Sequence, residues 1–267
     1  MTETNDISVS FSGSGFLIFA HCGAACALED LGKNIREVSG SSGGSLISSF
    51  LALGFSAAEI RDLAFKTDLS NFITIDPTAL FSWGICWGQH LEDWLKTTLG
   101  KSTFTDIEMP IKILTTDLAA REIFVFSRQT APLATLAEAC RCSSSVPFIY
   151  VPAKYEGMIC VDAGLMDNLP LNVLSLTGTQ KIALQVQSGS ASASVRSLLG
   201  FTKQVISAML ASSEDALAAW GRATGTAVIP IDAREFDFLN TGLTLAQKQT
   251  LFQRGYDAVT TFYSSTR

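Results

Sequence analysis

A glycine-serine pentapeptide, Gly40-Ser41-Ser42-Gly43-Gly44, lies between a short strand-like run, Ile35-Arg36-Glu37-Val38, and an apolar run from Leu46 to Leu53. Strand, sharp turn and helix, in that order, lift a serine hydroxyl out of the backbone as an exposed nucleophile. Ser42 is that serine. Far downstream, Asp162-Ala163-Gly164 closes another strand-like run, Met158-Ile159-Cys160-Val161, and offers a carboxylate. His21 and His90 both lie outside the order Ser, Asp, His that triads of the α/β-hydrolase type require. The chemistry on offer is acyl transfer by a serine and an aspartate, without a histidine.

A serine hydroxyl needs a base to take its proton, and the tetrahedral intermediate needs donors aimed at its oxyanion. Asp162 is the candidate base. The turn Ser12-Gly13-Ser14-Gly15 follows the alternating strand Ile7, Val9, Phe11 and precedes a helical run, so its backbone amides suit an oxyanion site. If the strands before the two turns are neighbours in a parallel sheet, both turns emerge at the same carboxyl edge, where ligands bind. An aspartate at its ordinary pKa of about 3.9 is a poor base, so the site has to be dry or tuned by Ser42 itself.

Other segments supply the frame. The helical run from about residue 16 to 31 stops at Gly32, and the one after Gly44 stops at Gly54. Two such units predict a parallel sheet. Ser56-Ala57-Ala58-Glu59, Thr135-Leu136-Ala137-Glu138 and Thr244-Leu245-Ala246-Gln247 read as capping boxes. Further strands are expected at residues 111–114, 123–126, 182–186 and 228–231, and a surface loop at 188–197. With 267 residues, 47% hydrophobic and 16% charged, the chain is expected to form a single domain over residues 1–267. A net charge of -6 provides no basic footprint, which argues against nucleic acid and against strong attraction to anionic membranes. The acidic N-terminus and the lack of an apolar run of about 18 residues predict a chain soluble as made and cytoplasmic, without a cleaved signal or membrane span. The six cysteines sit mostly in apolar or small-residue runs, as buried thiols do, and their spacing does not suit a zinc site; no metal or other cofactor is expected.

The motifs resemble, in order, those of the patatin-like phospholipase family. The resemblance is carried by Phe11-Ser12-Gly13-Ser14-Gly15, His21-Cys22-Gly23, Ala27-Leu28-Glu29-Asp30-Leu31-Gly32 and Val38-Ser39-Gly40-Ser41-Ser42-Gly43-Gly44. Thr115-Thr116-Asp117-Leu118, Ser143-Ser144-Ser145-Val146-Pro147, Asp162-Ala163-Gly164 and Asn168-Leu169-Pro170 follow, so that it covers about residues 7–175, with a weaker echo at Gly255-Tyr256. It implies a three-layer α/β/α sandwich with a mainly parallel central sheet and a lipid acyl hydrolase of phospholipase A or lysophospholipase type. By the same resemblance Ser42 is the nucleophile, Asp162 the dyad acid, and Gly13, Ser14, Gly15 and the amide of Gly43 the oxyanion hole. Asp117 falls on a structural motif, and His21 reads as a hydrogen-bonded helix residue. Three positions depart from the family pattern: Ser14 stands for a glycine, Leu17 for a common cation, and Ala163 for a glycine. The missing cation motivates one alternative, a weakly active or inactive relative that binds lipid or a partner; a further alternative is an acyltransferase using the same serine.

Three of the four tryptophans, Trp83, Trp87 and Trp94, crowd between Phe72 and Trp94 with Phe81, Pro77, Gly84 and Gly88. Tryptophan suits a membrane interface. Leu80-Phe81-Ser82-Trp83-Gly84-Ile85 is expected to form a flap that docks into lipid, a peripheral membrane contact; the opposing expectation is that these rings are core.

Overall fold

The computed structural model describes residues 5–189 and 198–265. Strand β1 (Asp6–Phe11) turns into helix α1 (Ile18–Asp30), and β2 (Asn34–Gly40) turns into α2 (Gly43–Ala52). Helix α3 (Ala57–Lys66), two 3-10 turns (Leu69–Phe72 and Pro77–Ser82) and α4 (Gln89–Leu99) follow. The hairpin β3 (Ile111–Asp117) and β4 (Glu122–Phe126) leads to α5 (Leu136–Ser143), and then to β5 (Ala153–Tyr155) and β6 (Met158–Asp162). The chain ends with β7 (Gln180–Gly189), α6 (Leu198–Ala223), β8 (Ala227–Asp237) and α7 (Leu245–Ser265).

The strands form one sheet in the order β5-β6-β3-β2-β1-β7-β8, with β4 also paired to β3. From β3 to β8 neighbouring strands are parallel, whereas β4, β5 and β6 run antiparallel to their partners. Phe11 pairs with Gly40, so the turns after β1 and β2 leave the same edge side by side. The strands are buried on both faces, as parallel sheets require. On β1 the residues Ile7, Val9 and Phe11 enter the main core, where α1 packs against α7, α3 and α2. The alternate residues Ser8 and Ser10 are buried on the opposite face. There a second layer forms as Ala183 of β7 packs with Leu169, Leu171 and Ala218 of α6. The result is a three-layer α/β/α arrangement about a mainly parallel sheet.

All three capping boxes close. Ser56 and Thr135 accept the third amide while Glu59 and Glu138 return the bond, and Gln247 does the same for Thr244. All six cysteines are buried free thiols. Two expectations about the second half of the chain change. Strand β8 runs well past residue 231, and α6 is a long helix that the spacing did not predict. Of the expected loop at 188–197, Ser188 and Gly189 belong to β7 and residues 190–197 lie outside the described residues.

Candidate active site

Ser42 caps α2 with φ 47 and ψ −122, a backbone conformation that L-residues rarely adopt. The glycines on either side make this elbow possible. A Cβ on Gly40 would stand 2.5 Å from Gly44 O, and one on Gly44 would stand 2.3 Å from Phe11 O. Strand β2 can therefore turn into α2 directly against the end of β1. Two serines fix the elbow: Ser42 N–H donates to Ser143 Oγ at 2.9 Å, and Ser45 Oγ donates to Ser42 O at 2.5 Å. Ser143 comes from α5, and its role at the elbow was not evident from its run of serines.

Asp162 ends β6, which pairs with the outer half of β3, Thr115 standing opposite Asp162. Its Oδ1 accepts Gly164 N–H at 2.8 Å, and its Oδ2 has no partner of full hydrogen-bond geometry among the described residues. Burial pushes its carboxyl up to about 6, against the opposing pull of the Ser42 hydroxyl and the Gly164 amide. The following residue, Ala163, is not among the residues of positive φ, so the alanine is accommodated without strain.

The glycine turn lies against the start of α2, since a Cβ on Gly43 would meet Ser14 Oγ at 2.5 Å and Gly15 O at 2.6 Å. Its amides are not equivalent. Gly13 N–H donates to Asn168 O at 2.9 Å. The amides of Ser14, Gly15 and Gly43 have no acceptor among the described residues. Ser14 Oγ is also buried and has no hydrogen-bond partner among the described residues. Leu17 is fully buried in the core, so the position where the family pattern carries a cation is apolar here.

His21 is no base for Ser42. Its Nε2 donates to Ser12 O at 2.8 Å, and burial pushes its pKa down to about 4, which leaves it neutral. Its function is to hold the carbonyl that begins the glycine turn. Asp117 accepts the amides of Ala119 and Ala120 at 3.0 and 3.4 Å, closing the hairpin between β3 and β4.

Ser42 lines two cavities. One is an apolar pocket bounded by Leu46, Ile47 and Phe50 of α2, Ile60 and Leu63 of α3, and Phe72, Leu91 and Trp94. The other is a polar cleft formed by Gly13, Ser14, Gly15, Asp162, Asn168 and Phe238. The aromatic segment divides between core and surface. Phe72 is buried and packs on Trp94 with ring centroids 5.5 Å apart, whereas Phe81 is 91% exposed and Trp83 69% exposed. Phe81 sits on the turn Pro77–Ser82 and Trp83 caps its end, and the chain beyond is joined through Ile85 N–H to Ile149 O at 3.1 Å. Ile149 N–H in turn donates at 3.2 Å to the carbonyl of Val146, a residue that borders both cavities.

Residues 9–175 match the family described as patatin-like phospholipase. An uncharacterised protein of Acanthamoeba polyphaga mimivirus is 32% identical over 189 residues, covering 65% of this chain and 63% of its own length. An uncharacterised protein of Bacillus subtilis is 27% identical over 190 residues, covering 62% of this chain and 65% of its own. The match thus spans less than two thirds of either relative. Among solved structures, VipD from Legionella pneumophila superposes with a TM-score of 0.65 at 17% identity, over 97% of this chain and 66% of that one. ExoU, in its complex with SpcU from the type III secretion system of Pseudomonas aeruginosa, gives 0.53 at 20% identity, over 98% of this chain and 52% of that one. Among the described residues, no helix is long and apolar enough to cross a membrane. A family match across most of the chain, on a sheet whose neighbouring turns bring Ser42 and the glycine turn together, makes this protein a member of the patatin-like phospholipase family.

Proposed function

We propose that the protein hydrolyses carboxylic esters of lipids, with Ser42 as nucleophile and Asp162 as its base. The observation that carries this reading is the position of Ser42 on a strained elbow between an apolar pocket and a polar cleft that holds a buried carboxyl. The pocket suits an acyl chain and the cleft suits the ester's alcohol side. Ser42 Oγ attacks the carbonyl carbon while its proton passes to Asp162. The carbonyl oxygen, now an oxyanion, is met by the free amides of Ser14, Gly15 and Gly43 near the positive end of α2. Collapse expels the alcohol or lysolipid, which takes the proton from Asp162 and leaves Ser42 acylated. Water gives a proton to Asp162 as it attacks the acyl carbon; the fatty acid departs as Ser42 regains that proton.

Amides, not a cation, hold the charge in this scheme, so turnover is expected to survive chelation of divalent metals; a large loss restored by calcium contradicts it. The deciding experiment combines a fluorophosphonate serine probe with fatty-acid release from a lipid panel. Labelling and release by the wild type, both lost in Ser42→Ala, are expected. Release that persists in Ser42→Ala overturns the assignment, and a folded wild type that neither labels nor releases is a lipid-binding relative. Acyl product on an added alcohol, instead of free acid, identifies a transferase.

The exposed turn supports a further part of the reading. Leu80, Phe81 and Trp83 present apolar surface to solvent next to the segment bordering Ser42, and a lipid surface is the partner that suits them.

A further inference from the structure

Asn168 sits behind the polar cleft, buried, a few residues after Asp162. Its carbonyl accepts Gly13 N–H at 2.9 Å. Its side-chain Oδ1 lies 2.1 Å from where a Cβ on Gly13 would stand and 2.5 Å from where one on Gly164 would stand. The glycine turn after β1 and the acid turn after β6 therefore rest against a single amide group. The other end of that amide is also held, because Nδ2 donates to Glu214 Oε2 at 2.7 Å. Glu214 is buried on α6, and its Oε1 has no partner of full hydrogen-bond geometry among the described residues, with only the buried Gln185 side chain interacting loosely with the carboxyl. A buried carboxyl with an unfilled oxygen is costly, and the packing of α6 on the sheet through Ala218 and Leu217 is apolar. The carboxyl thus needs a reason other than packing.

We propose that Glu214 is a positioning residue for the Ser42 reaction: it fixes the amide of Asn168, which sets the Gly13–Gly15 turn against the Asp162–Gly164 turn. The inference rests on Ser42 being the nucleophile. The two ends of an asparagine amide are nearly equal in size and opposite in hydrogen bonding, so the acceptor facing Nδ2 decides which end meets the glycines. Rotation of the amide would turn NH2 toward Gly13 and Gly164 and displace the turn that carries the free amides of Ser14 and Gly15. Burial pushes the Glu214 carboxyl up to about 8, so it is largely neutral at pH 7 and a glutamine offers the same acceptor oxygen. An aspartate withdraws that oxygen by one methylene.

The test is steady-state hydrolysis of a short water-soluble ester at pH 7, with Tm measured for each variant and Ser42→Ala as control. Glu214→Gln is expected to stay within about threefold of the wild-type kcat, while Glu214→Asp and Glu214→Leu lose about ten- to hundredfold, as small misplacements at a reacting centre do. KM is expected to change by less than about threefold, because the displaced amides meet the oxyanion and not the bound ester. Combining Glu214→Leu with Asn168→Leu is expected to be no worse than Asn168→Leu alone. Full kcat in Glu214→Asp or Glu214→Leu, a loss carried by KM, additive losses, or a folded but inactive Glu214→Gln overturns the proposal. Where Glu214→Leu fails to fold, the contrast of Asp with Gln decides alone. Turnover retained in Ser42→Ala is the separate result that removes the nucleophile assignment instead.

Discussion

Asp162 is held out of water at the end of β6, and that burial pushes its carboxyl up to about 6 from its ordinary 3.8. On the proposed mechanism only the ionised form accepts the Ser42 proton, so kcat should rise with pH through about 6 and then level. A rate that is flat from pH 5 to 8 with chemistry limiting contradicts this. Asp162→Asn should be nearly as inactive as Ser42→Ala, and the double variant little worse than either. The same residue affects stability in the opposite sense. Between 3.8 and 6 the folded state binds more protons than the unfolded one, so wild-type stability falls as pH rises through that window. Asp162→Asn should therefore be more stable than wild type at pH 8, by up to about 3 kcal/mol in urea unfolding, with the difference gone near pH 3.5. The elbow at Ser42 and the strand end at Asp162 were legible in the sequence because glycine spacing and strand ends are local features. That Gly13's amide is occupied was not legible, since its acceptor, Asn168, arrives through the fold from the far side of the acid turn. The use of Ser143 as an acceptor for Ser42 N–H was hidden for the same reason.

Helices and turns divide along a similar line. The helices that open on capping boxes were readable, because the bonds of a box connect residues three apart. Helix α6 was not, and its residues explain why. Phe201, Val205, Met209 and Trp220 are exposed on it while Ala218 and the polar Glu214 are buried, so apolar side chains occur all round and the helical period is blurred. The aromatic turn at Pro77–Ser82 tests whether exposed apolar side chains on an element have a partner. Phe81→Ser combined with Trp83→Ser should leave Tm nearly unchanged, since both rings already face solvent. Hydrolysis of vesicle lipid should fall at least about tenfold, because burying one such ring is worth about 1.5–3 kcal/mol, while a water-soluble ester should be turned over normally. Equal losses on both substrates, or a large drop in Tm, remove the membrane contact.

At the scale of the whole molecule, three buried carboxyls are raised together: Asp162 and Asp167 to about 6, and Glu214 to about 8. Each contributes stability that is full below its unfolded pKa and is lost as pH rises through its folded pKa. His21, pushed down to about 4, acts the other way, lowering stability as pH falls from 6.5. Well above 6.5 His21 is neutral in both states, and Glu214 is the main raised carboxyl still titrating. Stability should fall by about 2 kcal/mol between pH 6.5 and 8.5, and Glu214→Gln should flatten that slope. A wild-type profile that is level or rising there contradicts the burial assigned to Glu214. The sheet itself was readable as parallel from its first two units, but the antiparallel placing of β6, which delivers Asp162 across β3, depends on pairing between distant segments.

The two cavities that meet at Ser42 also govern traffic. On the proposed mechanism an acyl chain in the apolar pocket leaves the departing alcohol and the molecule that replaces it to pass through the polar cleft bounded by Phe238 and Leu210. On that mechanism the partition of the acyl-enzyme between water and a competing alcohol is then set by the width of that cleft, and the choice of fatty acid by the pocket on the other side. Acceptor preference and chain-length preference become separable traits, each open to change without disturbing the other.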